Sequence, residues 1–228
     1  MDSNNYAVIS FSVARAIDLM DWEVRPLLKG KKTQLRRPII IPRLLRELGC
    51  SIEFSSIKEK NAEYDYLYFY PYSSNKLGWH NIKYGCPFGK PNSILSIKES
   101  YSMLAQEIIY KADLSDEGQA GITWKGSGSM PLGLSRAKIQ LTATRIQRLS
   151  EMTEKEAILE GVSIDEDLSY LEAFARHWDE YVNKYGNWFH FKNNPLVWVV
   201  EFDLVDLDEG LSDLEDTEID RDSEVVLV

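Results

Sequence analysis

The stretch Pro26-Leu27-Leu28-Lys29-Gly30-Lys31-Lys32-Thr33-Gln34-Leu35-Arg36-Arg37-Pro38 frames the rest of the chain. The protein has 228 residues and a formal net charge of −10, yet this window holds five cations and no acid. A basic cluster in an acidic chain creates a local field that attracts phosphate or another anion. Its plainest reading is a helix end, where Lys and Arg favour the negative pole, followed by a strand.

On the N-terminal side, residues 6–20 begin as a short strand, and within them Val13, Ile17 and Met20 then recur as on a helix leading into the window. On the C-terminal side, Ile39-Ile40-Ile41 is β-rich and residues 42–48 read as a short helix closed by Gly49. Tyr64, Tyr66, Tyr68 and Tyr70 then alternate with other residues, which predicts one strand of a hairpin turning near Ser73-Ser74-Asn75-Lys76. That tyrosine row reads as sheet packing in preference to a base-stacking surface. A turn-dense stretch, 84–93, leads into a strand over 94–100. Residues 101–112 read as helical and 113–130 as a glycine-rich loop around Trp124.

Residues 137–146 alternate apolar and polar, a strand pattern. Residues 150–161 read as a helix that Ser150 or Thr153 can cap, Glu156 completing a capping box with Thr153 and Gly161 ending it. Leu168, Leu171, Phe174, Ala175, Trp178 and Val182 share one helical face. Residues 186–190 form a loop, and 196–205 an apolar strand in which Trp198, like Trp178, is expected to be buried. From 206 to 224 the chain carries ten acids and one cation, a solvated acidic tail by composition.

Hydrophobic residues make up 44% of the chain and aromatics 11%, enough for a sizeable core. Cys50 and Cys86 are too few for a disulfide scaffold, and no Cys/His pattern has metal-ligand spacing. No metal or cofactor is therefore expected, and the cysteine usage suits a reducing cytoplasm. The N-terminus lacks a basic leader, and no apolar run reaches transmembrane length, so no membrane partner is expected.

Several segments resemble, in order, one family pattern. Residues 28–37 resemble the Gly-Arg-Lys-Thr-x-Thr-Arg-Arg signature of ASCH-domain proteins, especially those encoded by bacteriophages and prophages. Cys86-Pro87-Phe88-Gly89-Lys90-Pro91 with Ile97-Lys98-Glu99 is similar to their Cys-Pro-Tyr-Gly-x-Pro-Gly-Asp and Val-Arg-Glu block. Trp124, Met130-Pro131 and Ser135-Arg136 fall where the family has Trp, Met-Pro and Ser-Arg. Residues 149–162 resemble its Glu-Gly-terminated helix, and Asn194-Pro195 to Phe202, with Phe174 and Trp178, its closing block.

The resemblance implies an α+β, PUA-like fold: a small mixed β-barrel with flanking helices and two insertions, near 43–85 and 101–123. The domain would span 6–205, with the acidic tail at 206–228. It also implies RNA or a modified nucleoside or nucleotide as partner, held in a cleft beside the barrel in the host cytoplasm. The acidic tail offers a contact for a protein partner. Some relatives are amidohydrolases that deacetylate N4-acetylcytidine with a Lys, a Thr and a Glu. By resemblance the Lys falls on Lys32 and the Glu on Glu160, whereas the Thr falls on Leu35, which has no hydroxyl.

An amide hydrolase needs an activated hydroxyl or water. Thr33 is adjacent to Lys32 and on a strand would face the other way. The same region suits binding better: Lys31, Lys32, Arg36 and Arg37 as phosphate contacts, with Thr33 beside them. Glu160 can accept from a base amine, and Trp79, Trp124 or Trp188 can stack on a base. Glu99 joins this set, or pairs with a neighbouring cation across the sheet. His80, His177 and His190 form no visible triad. Binding of RNA or a nucleotide is thus the leading expectation, with an amidohydrolase or a ribonuclease as alternatives.

Overall fold

Eleven strands and three α-helices are described in the computed structural model, which covers residues 7–8, 16–41, 50–59, 62–71, 82–115, 117–164 and 167–205. The strands are β1 (Ala7–Val8), β2 (Ala16–Asp18), β3 (Gln34–Pro38), β4 (Cys50–Glu59), β5 (Ala62–Pro71), β6 (Ile82–Tyr84), β7 (Ile94–Lys98), β8 (Tyr101–Leu104), β9 (Glu107–Tyr110), β10 (Lys138–Arg148) and β11 (Leu196–Val205). The helices are α1 (Asp21–Leu28), α2 (Glu154–Leu159) and α3 (Tyr170–Val182). The expected helix over 42–48, the 73–76 turn, Trp79, His80 and the acidic segment lie outside the described residues.

The fold is mixed α+β. Nine strands form one sheet with the main order β1-β6-β5-β10-β11-β3, and β8 with β9 forms a separate hairpin. Strand β10 is its axis. One edge pairs antiparallel with β11 along almost its whole length. The other takes β7 at Lys138–Gln140 and then β5 in parallel at Thr144. Strand β2 extends β7, and β3 extends β11. No ladder among the described residues joins β3 to β2, so the sheet is not closed by backbone pairing there. Arg37 on β3 donates across that opening to the Asp18 carbonyl at 2.8 Å.

Alternation explains β10: Ile139, Leu141 and Ile146 are buried while Thr142 is exposed. Leu35, Ile97, Ile139 and Val200 help build the core on one side. Leu149, Phe174, Trp178 and Val199 build a second cluster under α2 and α3. Trp178 and Trp198 are both buried, as read from the sequence. The Thr153–Glu156 capping box starts α2 as expected, and Ser169 with Glu172 starts α3 in the same way.

Two local expectations change, and that for β5 is widened. The approach to the basic window is strand β2, with the helix beginning only at Asp21, because Ile17 is buried against the core beside β7. Strand β5 belongs to two antiparallel pairings: with β4, from which it is separated by residues 60–61, and with β6 across 72–81. Residues 101–110 form the β8–β9 hairpin and not a helix, since Ala105 and Gln106 both take positive φ, 49° and 74°, in a two-residue turn.

Candidate functional site

The basic window crosses from the end of α1 into β3. Lys31 and Lys32 both donate their backbone N–H to the Pro26 carbonyl. Thr33 is stitched between elements: its N–H donates to the Leu159 carbonyl at the end of α2, and its carbonyl accepts from Phe202 N–H on β11. Gly161 ends α2 at φ 81°, and a Cβ there would lie 2.6 Å from the Pro26 ring and 3.0 Å from Lys32 Cβ. Only glycine admits both that turn and that approach.

This seam places Lys32 against Glu160, 128 positions later in the chain. Each is 1% exposed. Lys32 Nζ donates to the Glu160 carbonyl at 2.8 Å and to Oε2 at 2.9 Å, and lies 3.5 Å from Glu23 Oε1. Trp22 caps the ammonium, its ring centroid 5.4 Å away.

Arg36 approaches Glu160 from the other side. Its Nη1 donates to Glu160 Oε1 at 2.9 Å and to Gln34 Oε1 at 2.7 Å, and its Nη2 to Gln147 Oε1 at 2.8 Å. Glu156 Oε1 lies 3.1 Å from Nη2. Arg37 forms a two-bond fork to Glu23, both contacts 3.0 Å, and lies 4.5 Å from the Tyr181 ring centroid. Burial pushes the Glu23 carboxyl up. The Arg37 and Lys32 charges, with hydrogen bonds from Arg37 and Met20 N–H, outweigh that and hold it below its ordinary value. Burial lowers the Arg37 guanidinium's affinity for its proton, but Glu23 more than restores it.

Lys32, Arg36 and Arg37 therefore face carboxylates inside the protein, and three cations meet Glu23, Glu160 and the half-buried Glu156. Leu35 is 0% exposed and packs with Leu27, Leu95 and Val200. It points away from the face that carries Arg36, as strand alternation requires. Lys29 and Lys31 are exposed, and their ammonium groups have no hydrogen-bond or ion-pair partner among the described residues. They line a cleft of 720 Å³ between α1 and the segment joining α2 to α3, with Trp22, Arg25, Ile158 and Tyr170 among its walls. Arg25 is fixed by the Ala112 and Leu114 carbonyls at 2.9 and 2.7 Å. Trp22 stacks on His177, centroids 4.5 Å apart, and burial pushes that imidazole below its ordinary value.

The structure thus brings Lys32, Arg36 and Glu160 into one group and places Lys31 and Thr33 beside it. Arg37 joins through Glu23. Glu99 and Trp124 have no hydrogen bond or ion pair to that group among the described residues. Glu99 is gripped by Arg136, at 2.8 and 2.9 Å, and Arg136 also holds Asp113 and covers the Tyr110 ring at 4.1 Å. Burial pushes the Glu99 carboxyl up despite that partner. Trp124 is half-buried, with its indole N–H enclosed and unpaired. Burial pushes the half-buried Cys86 thiol up to about 12, which disfavours the nucleophilic thiolate. Among the described residues no group of three or more His, Cys, Asp or Glu is placed to hold a metal ion, and no helix is long and apolar enough to cross a membrane.

Sequence reasoning missed Glu23, Gln34 and Gln147, and named Arg136 only as a family-like position and not as the partner of Glu99. Glu23 carries a weak trace, an acid three residues after Met20 whose carboxylate accepts the Met20 N–H at 2.8 Å. Comparison with family models, with curated proteins and with solved structures finds no match to this chain.

Proposed function

We propose that this chain is an ASCH-type, PUA-like module of phage type that binds RNA or a modified nucleotide, its phosphate held at the cleft beside α1. The observation that carries the binding reading is the pair Lys29 and Lys31, exposed and unpartnered at the cleft with Arg25 fixed nearby. Unpaired ammonium groups at a concave wall are what a phosphate would neutralise. The order of the five family-like segments supports the ASCH reading, as does the meeting of Lys32 with Glu160. The Arg37 contact between the β3 and β2 edges supports a barrel-like arrangement.

A second reading, deacylation of an N4-acetylcytidine-like base, draws on the same Lys32–Glu160 contact at 2.9 Å. It lacks a hydroxyl, because Leu35 is packed in the core. The test is equilibrium binding of labelled RNA, single-stranded DNA and nucleotides at low salt. Affinity should fall with salt, and replacing Lys29 and Lys31 by Ala should reduce the log–log salt slope for a single strand by about 0.7 per lost contact. Absence of binding to every one of these ligands removes the proposal. Deacetylation of N4-acetylcytidine that is lost with both Lys32 and Glu160 would replace it with the second reading.

A further inference from the structure

Trp188 is 86% exposed, the most exposed large hydrophobic side chain among the described residues. A tryptophan in water leaves its largest source of burial free energy unused. This one does not sit on a slack loop. Its backbone lies in a short 3-10 turn, Asn187–Phe189, entered through Gly186 at φ 103°. Asn193 Nδ2 donates to the Asn187 carbonyl at 2.7 Å, and His190 Nε2 lies 3.0 Å from Asn183 Oδ1. Trp178 Nε1 donates to the Phe189 carbonyl at 2.7 Å, and Asp179 accepts the Phe191 N–H at 2.6 Å. The loop is anchored to α3 through Phe189 and Phe191, immediately after an indole that remains in solvent.

The charge around it is equally specific. Residues 183–194 contain Lys184, Lys192, four aromatics and no acid, in a chain of net charge −10. Lys184 Nζ lies 4.6 and 4.9 Å from the Tyr181 and Tyr185 ring centroids, which fixes one cation beside the loop. Arg148 Nη1 donates to the Asn194 carbonyl at 3.2 Å and supplies another. An exposed aromatic face on an anchored backbone, with cations on the same loop and at its end, is the chemistry that holds a nucleobase with its adjacent phosphates.

We infer that Trp188 is a stacking platform for one base of a single-stranded RNA, with Lys184, Lys192 and Arg148 contacting the neighbouring phosphates. This rests on the nucleic-acid reading above and adds a second, separate contact surface to it. Tyr170, at the start of the 13-residue α3, lines the cleft and Trp188 follows the helix's end, so about 20 Å of helix lies between them. A strand spanning both engages both, whereas a mononucleotide in the cleft does not reach the indole.

The test measures fluorescence anisotropy of a labelled single-stranded oligoribonucleotide and of a labelled mononucleotide on the full chain, with thermal melts as the folding control. W188A should weaken oligonucleotide binding by about tenfold or more, within the range of one lost stack. Its salt slope should be unchanged and its mononucleotide binding intact, and W188F should recover most of the loss. Replacing Lys184 and Lys192 by Ala should instead lower the salt slope. Undiminished oligonucleotide binding by W188A overturns the inference, even where loss of Lys29 and Lys31 shows that the cleft reading stands. Sensitivity to W188A with indifference to Lys29 and Lys31 upholds it and fells the cleft reading. No oligonucleotide binding by the native chain, or Trp188-dependent adsorption to lipid vesicles in its place, overturns it.

Discussion

Lys31 is exposed and unpartnered at a cleft, while Lys32, one residue later, is sealed against Glu160, Glu23 and the Trp22 ring. The same division runs through the whole basic window. Lys29 and Lys31 face solvent, and Lys32, Arg36 and Arg37 face carboxylates inside. Adjacent residues of one charge thus serve opposite ends: one half is neutralised by the protein itself, and the other half is left for something else to neutralise. Local charge counts treat the two halves alike, and only the fold separates them.

The largest effect expected from this division is on stability. Removing one member of a buried ion pair leaves the other charge desolvated, at a cost of about 3–5 kcal/mol. Glu160→Ala takes from both Lys32 and Arg36 their nearest carboxylate, so chemical denaturation should show a loss of that size. Lys31→Ala, outside the network, should stay within about 0.5 kcal/mol of the native chain. Equal losses for the two variants would erase the distinction between the halves.

Next in size is Leu35→Thr, which supplies the hydroxyl that the family resemblance implies at this position. The side chain lies in the core with Val200, so the change removes apolar packing and buries a hydroxyl among aliphatic groups. A loss of about 2–4 kcal/mol is expected. The variant should gain no deacetylation of N4-acetylcytidine, because its hydroxyl would sit on the face opposite the Arg36–Glu160 pair. A gain of activity would reverse the assignment of faces on β3.

Why part of this was readable from sequence and part was not has physical causes. Strand β10 announced itself through period-two alternation, and α2 through Thr153 and Glu156, because those patterns are local. The β8–β9 hairpin turns on Ala105-Gln106, and neither residue advertises positive φ as Gly or Asn would. The buried cations were harder still. Lys and Arg are ordinarily exposed, and the carboxylate that allows Lys32 and Arg36 inside lies more than a hundred residues away. The pairing of Lys32 with Glu160 was implied only by resemblance. Glu23, in the first turn of α1, reads from sequence as a residue favouring the helix dipole, and its fork to Arg37 becomes visible only when β3 is laid beside that helix.

The smallest effect sharpens the contrast by sign. Glu23 and Glu99 are both buried carboxylates gripped by an arginine, yet they are displaced in opposite directions. Burial raises each. At Glu23, Arg37 and Lys32 together outweigh burial and bring the carboxyl below the ordinary 4.5. At Glu99, Arg136 is shared with Asp113, and the Asp113 and Asp21 charges add to burial, so the carboxyl ends above 4.5. Linkage then fixes the slopes. Between its lowered folded value and 4.5, Glu23 binds fewer protons folded than unfolded, so its contribution is present above 4.5 and lost as pH falls through the folded value. Glu99 binds more protons folded, so its contribution is present below 4.5 and lost as pH rises through its folded value. Urea midpoints measured from about pH 3 to 7 should therefore show Glu23→Gln flattening the acid limb. Glu99→Gln should remove a decline on the other side of 4.5. Parallel pH profiles for the two variants would mean that Arg136 neutralises its carboxylate as fully as the buried half of the basic window neutralises Glu23.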